Sequence, residues 1–264
     1  MGGPIRVGIG GWTFEPWRGT FYPEGLSQKK ELEFASRALT AIEVNGTYYS
    51  TFKPETFAGW AGTAPEGFVF TLKGSRFCTN RKVLAEAGES VSRYVKQGIV
   101  ELGGKLGPIF WQFMATKKFD AQDFAAFLDL LPREEAGVKL RHAVQARHES
   151  FQVPEFVALC RSRDVAIVFA DSPEYPGVAD ITTDFVYARL EAGADENPLC
   201  YPDAELPRWI AAARTWSEGG QPEGLPYFGE APAPVTPRET FVFFIHGGKV
   251  RAPAAAQAMI DAVR

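Results

Sequence analysis

The chain has 264 residues, 45% of them apolar and 23% charged, the balance of an ordinary globular protein. A net charge of −4 argues against non-specific binding to duplex DNA or anionic lipid, both of which call for a basic surface. The three cysteines, Cys78, Cys160 and Cys200, are odd in number and far apart, which excludes a disulfide framework and points to a reducing cytoplasm.

Strands and helices alternate along the chain. Residues 5–10 read as a first strand with Ile5, Val7 and Ile9 on one face. An aromatic loop follows, and Ser27 is expected to cap a helix to about Leu39. The stretch AIEVNGTYY, 41–49, reads as a short strand on which Glu43 and Asn45 share one parity, opening into an aromatic turn. Pro54 begins a helix through Trp60, and 68–73 form the third strand. A helix over 90–102 precedes a fourth strand at 109–113. Asp120 caps an amphipathic helix whose Phe124, Phe127, Leu128 and Leu131 recur at helical spacing and therefore belong to the core.

The fifth strand, 143–147, is followed by a helix opening at Pro154, and the sixth strand spans 165–170. The segment joining it to the seventh, 185–190, is so rich in Pro, Gly and Asp that the sixth helix is vestigial. A helix over 207–216, a long Gly/Pro-rich surface loop, a last strand at 241–245 and an Ala-rich helix opening at Pro253 complete the chain. No charged-then-apolar leader and no apolar run of membrane-spanning length is seen, so a cytoplasmic location without membrane attachment is expected.

About eight parallel strands with crossover helices imply an α/β fold. Central strands of an open sheet are apolar on both faces, whereas several here are apolar on one parity and polar on the other. That pattern predicts a TIM-type barrel, a single domain over 1–264, with helices outside and a polar cup inside. With the apolar parity outward, the inward residues near the strand ends are Glu43, Asn45, Lys73, Gln112, Gln145, Arg147, Asp171, Arg189 and Glu191. His148 sits one step past the fifth strand and His246 begins the loop after the eighth.

For any one of these charges a satisfied ion pair with no chemistry is a sufficient explanation. Groups gathered from seven strand ends instead describe a pocket. Arg147 and Arg189 offer bidentate forks, and Lys73 a point charge, to a carboxylate or phosphate. Glu43, Glu191 and His148 are the available proton carriers. His142 and His148 lie six apart, not at helical zinc spacing, and no metal ligands or cofactor are assigned. The Gly8–Gly11 run lacks the third glycine of a dinucleotide fingerprint, and Gly103-Gly104-Lys105 lacks the hydroxyl residue of a P-loop. The glycines of the first strand are read instead as making room at the barrel mouth. Most aromatics of the first two loops form a mini-core, with one or two available at the rim for stacking.

Several motifs in order resemble the YecE-like family, also called domain of unknown function 72. They are GIGGWTFEPWRGTFYPEGL at 8–26, AIEVNGTYY at 41–49, KLGPIFWQF at 105–113, ARHESF at 146–151, FADSP at 169–173 and DFVYARL at 184–190. The resemblance implies a TIM-type barrel without an established activity, and by analogy a kinship with metal-dependent sugar isomerase and endonuclease barrels. Glu43, Asn45, Lys73, Gln112, Arg147, His148, Asp171 and Arg189 match the family pattern, whereas Gly46, Asn80, Gln145, Phe151, Glu191 and His246 depart from it. The matching residues form the candidate site. Glu43, His148 and Asp171 are its catalytic candidates, and Asn45, Lys73, Gln112, Arg147 and Arg189 bind the ligand. The expected function is a small-molecule enzyme or binder for a polar anionic ligand. The alternatives are a nucleic-acid-binding or processing protein of the endonuclease-barrel kind, which the acidic total disfavours, and a non-catalytic ligand-binding barrel.

Overall fold

The computed structural model describes residues 2–264. Eight parallel strands close into a barrel: β1 (Ile5–Gly10), β2 (Ala41–Val44), β3 (Val69–Lys73), β4 (Leu106–Gln112), β5 (His142–Gln145), β6 (Ala166–Asp171), β7 (Phe185–Leu190) and β8 (Glu239–Phe244). Each strand lies beside its neighbours in sequence, and β8 closes on β1 with Val7 opposite Val242. Helices α1 (Glu31–Ala38), α2 (Pro54–Thr63), α3 (Gly88–Val95), α4 (Ala121–Asp129), α5 (Pro154–Ser162), α6 (Glu205–Ser217) and α7 (Ala252–Val263) pack outside. The β6–β7 connection carries no helix, as its proline and glycine content predicts. The architecture is therefore the expected TIM-type α/β barrel.

Local chemistry explains several element ends. Asp120 caps α4, its carboxylate accepting from the Asp123 amide at 2.9 Å. Ser27 makes no such bond; a 3-10 turn intervenes and α1 begins only at Glu31. The helix expected over 90–102 is broken at Gly98, whose φ of 107° is a conformation that favours glycine and ends the regular turn. A small hairpin pairs Glu134–Glu135 with Val138–Lys139 around Ala136 and Gly137, both at positive φ. The Lys105 of the false P-loop donates to the Ala61 and Ala64 carbonyls at 2.6 Å, which ties down the end of α2.

The strand parity works as expected outside the barrel, where Val7, Ile9, Ile42, Val44, Leu72 and Leu190 face the helices. Inside, the polar cup occupies only the carboxyl half. Below it lies a second, apolar core of Ala41, Val69, Phe110, Ala143, Val168, Phe185, Tyr187, Phe241 and Phe243. Phe110, Tyr187 and Phe241 stack in sequence, with ring centroids 5.6 and 6.1 Å apart. Glu239 seals the amino end by accepting from Arg6 at 3.0 Å and Arg141 at 2.6 Å. The barrel is thus a packed plug with one open end. Among the described residues no helix is long and apolar enough to cross a membrane.

Candidate functional site

Above the aromatic plug the strand ends carry a hydrogen-bonded polar floor. Lys73 Nζ donates to Gln112 Oε1 at 2.7 Å, and Gln112 Nε2 donates to Gln145 Oε1 at 2.9 Å. Gln145 Oε1 also accepts from Arg189 Nη1 at 2.8 Å. Arg189 in turn holds both oxygens of Glu43, Nε to Oε2 at 3.1 Å and Nη2 to Oε1 at 3.3 Å, and donates through Nη1 to Glu191. Glu43 is 0% exposed and takes a further bond from the Tyr187 hydroxyl at 2.7 Å, with Thr71 2.9 Å behind it. A buried carboxylate needs such compensation to remain charged. Burial works against the Arg189 charge, but Glu43 and Glu191 outweigh it and hold its pKa above the ordinary arginine value. Burial and Glu43 push the Tyr187 phenol well up, so it stays a donor.

The floor opens to a cavity of about 600 Å³, lined by Lys73, Gln112, Arg147, Arg189, Glu191 and Asn45 and walled by Trp17, Tyr48, Tyr49, Tyr175, His246 and Lys249. That volume lies within the range of small-molecule sites. Gly10 also faces it, and a Cβ there would stand 3.1 Å from Asn45 Nδ2, so the small residue does leave room at the mouth. The cations rest on rings. Lys73 Nζ is 4.5 Å from the Tyr48 centroid, the Arg147 guanidinium 4.3 Å from that of Tyr175, and Lys249 Nζ 4.2 Å from that of Phe14. Lys73 and Lys249 have no ion-pair partner among the described residues, and Arg147 reaches only Glu191, at 3.9 Å. Burial, helped by Arg189 and Arg147 and opposed by Glu43 and Glu191, lowers the Lys73 pKa from 10.5 to about 8. Burial also lowers that of Lys249. Arg147 Nε is buried with no acceptor.

Of the residues expected from sequence, Asn45, Lys73, Gln112, Arg147 and Arg189 line this cavity, and Glu43 lies under its floor. The expected inward position of Asp171 is corrected. On β6 the interior residues are Ala166 and Val168, whereas Val165, Ile167 and Phe169 pack outside, so Asp171 falls on the outer parity. Its Oδ2 accepts from the Tyr201 hydroxyl at 2.7 Å, which bridges to the Ala192 amide at 3.1 Å. Burial raises its pKa against the opposing Tyr201 bond. His148 is also outside the cavity wall. Its Nδ1 accepts from the Ser150 amide at 3.1 Å and caps a short 3-10 turn.

Tyr48, Tyr175, Glu174 and Lys249 line the cavity without having been singled out as site residues. Lys249 had a signal in the His246-Gly247-Gly248-Lys249 run at the end of the last strand. Tyr175 and Glu174 had none, because their segment has no periodicity. Gln145, Glu191 and His246, all departures from the family pattern, belong to the floor or wall.

The family analogy raises a metal, and the donors do not fit one. Glu43 and Glu191 are committed to Arg189, and His142 lies in the outer layer, where it accepts from Trp111 Nε1 at 3.1 Å. Among the described residues no three of His, Cys, Asp and Glu converge to hold a metal ion.

A family model described as "Protein of unknown function DUF72" matches residues 6–264. The chain belongs to the DUF72 family. Among solved structures, a DUF72 family protein from Thermotoga maritima is 24% identical over 98% of this chain and 99% of its own, with a TM-score of 0.74. Another, from Enterococcus faecalis, is 17% identical over 99% and 98%, with a TM-score of 0.70. A xylose isomerase-like TIM barrel/4-hydroxyphenylpyruvate dioxygenase fusion protein is 13% identical over 99% of this chain and 43% of its own, at 0.55. These likenesses concern the fold alone. No curated protein matches the chain.

Proposed function

We propose that this DUF72 protein binds a small polar anion, bearing phosphate or carboxylate, in the cup at the carboxyl ends of its strands. The contrast between its cations carries the reading. Arg189 is cancelled by Glu43 and Glu191, whereas Lys73 and Lys249 have no ion-pair partner among the described residues and Arg147 has only a 3.9 Å approach to the Glu191 already held by Arg189; aromatic faces brace these three and leave their charge available. The two lysines are held in surroundings that disfavour their own protons, and an incoming anion offsets that cost. Arg147 Nε lacks an acceptor that a ligand oxygen would supply. The volume and the tyrosine walls suit a ligand with a ring attached to its charged group, such as a sugar phosphate or nucleotide.

The test is a melting-temperature comparison of wild type, Arg147→Ala and Lys249→Ala with phosphate, a sugar phosphate, a nucleoside monophosphate and single-stranded DNA. A ligand at a hundred times its Kd stabilises the native state by about 2.7 kcal/mol. The wild type is expected to shift with phosphate compounds and the variants to lose most of that shift. Equal shifts in all three proteins would refute the reading, and a shift with DNA alone would favour the nucleic-acid alternative.

A further inference from the structure

The cavity's lysines are not equivalent. Lys249 sits on the wall beside Phe14, in a loop after β8. Lys73 ends β3 inside the barrel, 8% exposed, with its Nζ fixed by one bond to Gln112 and lying over the Tyr48 ring. Arg189 and Arg147 repel its charge and Glu43 and Glu191 favour it, but among the described residues no carboxylate lies within ion-pair distance of its Nζ. A structural lysine at such a depth ordinarily ends in an ion pair. This one ends on a neutral amide at the floor of a cavity large enough for a metabolite.

An amine shielded from water, beside guanidinium groups and without an ion-pair partner, is a setting in which lysine acts as a nucleophile toward carbonyl carbon. We propose that Lys73 is a covalent residue, forming an imine with an aldehyde or ketone that also bears a phosphate or carboxylate. The inference rests on the anion-binding reading: Arg147 and Lys249 hold the ligand's charge while its carbonyl meets Nζ.

In the step, the Nζ lone pair attacks the carbonyl carbon and the C=O pair moves to oxygen. A proton passes from nitrogen to that oxygen, giving a carbinolamine. Uptake of one proton from solvent and loss of water leave a protonated C=N bond; because the resting ammonium gives up one proton before the attack, the cavity ends with the charge it had at rest. No oxidant or reductant is consumed. The lowered Lys73 pKa, about 8, makes a usable fraction of neutral amine available near neutrality.

The experiment is trapping with sodium cyanoborohydride, whose hydride reduces the imine carbon to a stable secondary amine, followed by peptide mapping. The probes are glyoxylate, glycolaldehyde phosphate and uncharged glycolaldehyde, with melting shifts in inorganic phosphate measured alongside. Expected are an adduct at Lys73 ahead of every other lysine, preference for the two charged aldehydes, and suppression by phosphate. Labelling should increase toward about pH 8 and flatten above it. Lys73→Arg, which keeps a charge, should lose the adduct and retain a phosphate shift. If that variant does not fold, the peptide map of wild type decides alone.

Adducts spread over surface lysines, or centred on Lys249, with a phosphate shift intact would overturn the imine and leave anion binding standing. A Lys73 adduct that ignores charge and phosphate would support the nucleophile and overturn the anion reading. Neither shift nor Lys73 adduct would overturn both.

Discussion

Arg189 holds both oxygens of Glu43, at 3.1 and 3.3 Å, across a barrel in which β1 and β8 separate their strands. The pair joins two strand ends that share no backbone ladder, and it does so with both partners buried, Glu43 at 0% and Arg189 at 3% exposure. It is therefore a fastening for the floor of the cavity. The charges that remain available to a ligand lie on its other cations.

Breaking this pair from one side should be costly. Glu43→Ala leaves Arg189 with Glu191 as its one carboxylate in this floor and takes from the Tyr187 hydroxyl its charged acceptor. We expect a loss of about 3–5 kcal/mol in urea denaturation. Glu43→Gln, which keeps two polar atoms in place, should lose less. A loss for the alanine variant below roughly 1 kcal/mol, the value of a surface pair, would contradict the fastening role.

Where strands alternate, the residues of this floor were legible in the sequence. Glu43 and Asn45 stand opposite Ile42 and Val44, and Arg189 opposite Ala188 and Leu190, so parity alone sends them inward. Asp171 was not legible, because β6 reads Ala-Ile-Val-Phe-Ala and is apolar on both faces. Parity then has nothing to choose between, and the carboxylate falls to the outer side. The aromatic plug was hidden for the same reason, since Phe241, Phe243 and Phe244 of β8 are apolar on both parities although only the first two point inward. Tyr175 and Lys249 come from loops, whose placement depends on contacts distant in sequence.

With its carboxylate anchored to Tyr201 and so to the Ala192 amide, Asp171 braces the loop after β7. Tyr201→Phe should leave a half-buried acceptor and a donor unpaired, costing about 1–3 kcal/mol. Hydrogen exchange at Ala192 should accelerate, while the phosphate-induced melting shift stays at its wild-type value. A lost phosphate shift with unchanged exchange would return Asp171 to the cavity.

His142 should govern acid sensitivity. Burial lowers its pKa from 6.5 to about 4, against the opposing bond to the Pro132 carbonyl. Between those values the unfolded chain binds a proton that the folded protein refuses, so stability rises with pH across this window and is lost as pH falls through it. The contribution is roughly 3 kcal/mol. Stability measured at pH 7 and pH 4.5 should fall less in His142→Gln, which keeps polar contacts to Trp111 and Pro132 without titrating. An equal fall in both proteins would assign the acid sensitivity elsewhere.

Lys73 should show the same linkage in the alkaline range. Its pKa of about 8 lies below the 10.5 of an unfolded lysine. Between these values the unfolded chain carries the extra proton, so this group makes stability rise with pH across the window. Below the folded value the protonated amine is present in both states, and its burial cost is fully felt. Relative to Lys73→Met, wild type should therefore gain up to roughly 3 kcal/mol between pH 8 and pH 10.5. Phosphate affinity should move the opposite way, weakening as the amine loses its charge, and Lys73→Met should show a flatter profile. A wild type that loses stability relative to Lys73→Met across this window would mean that the amine is held charged in the folded protein, and would remove the neutral lysine.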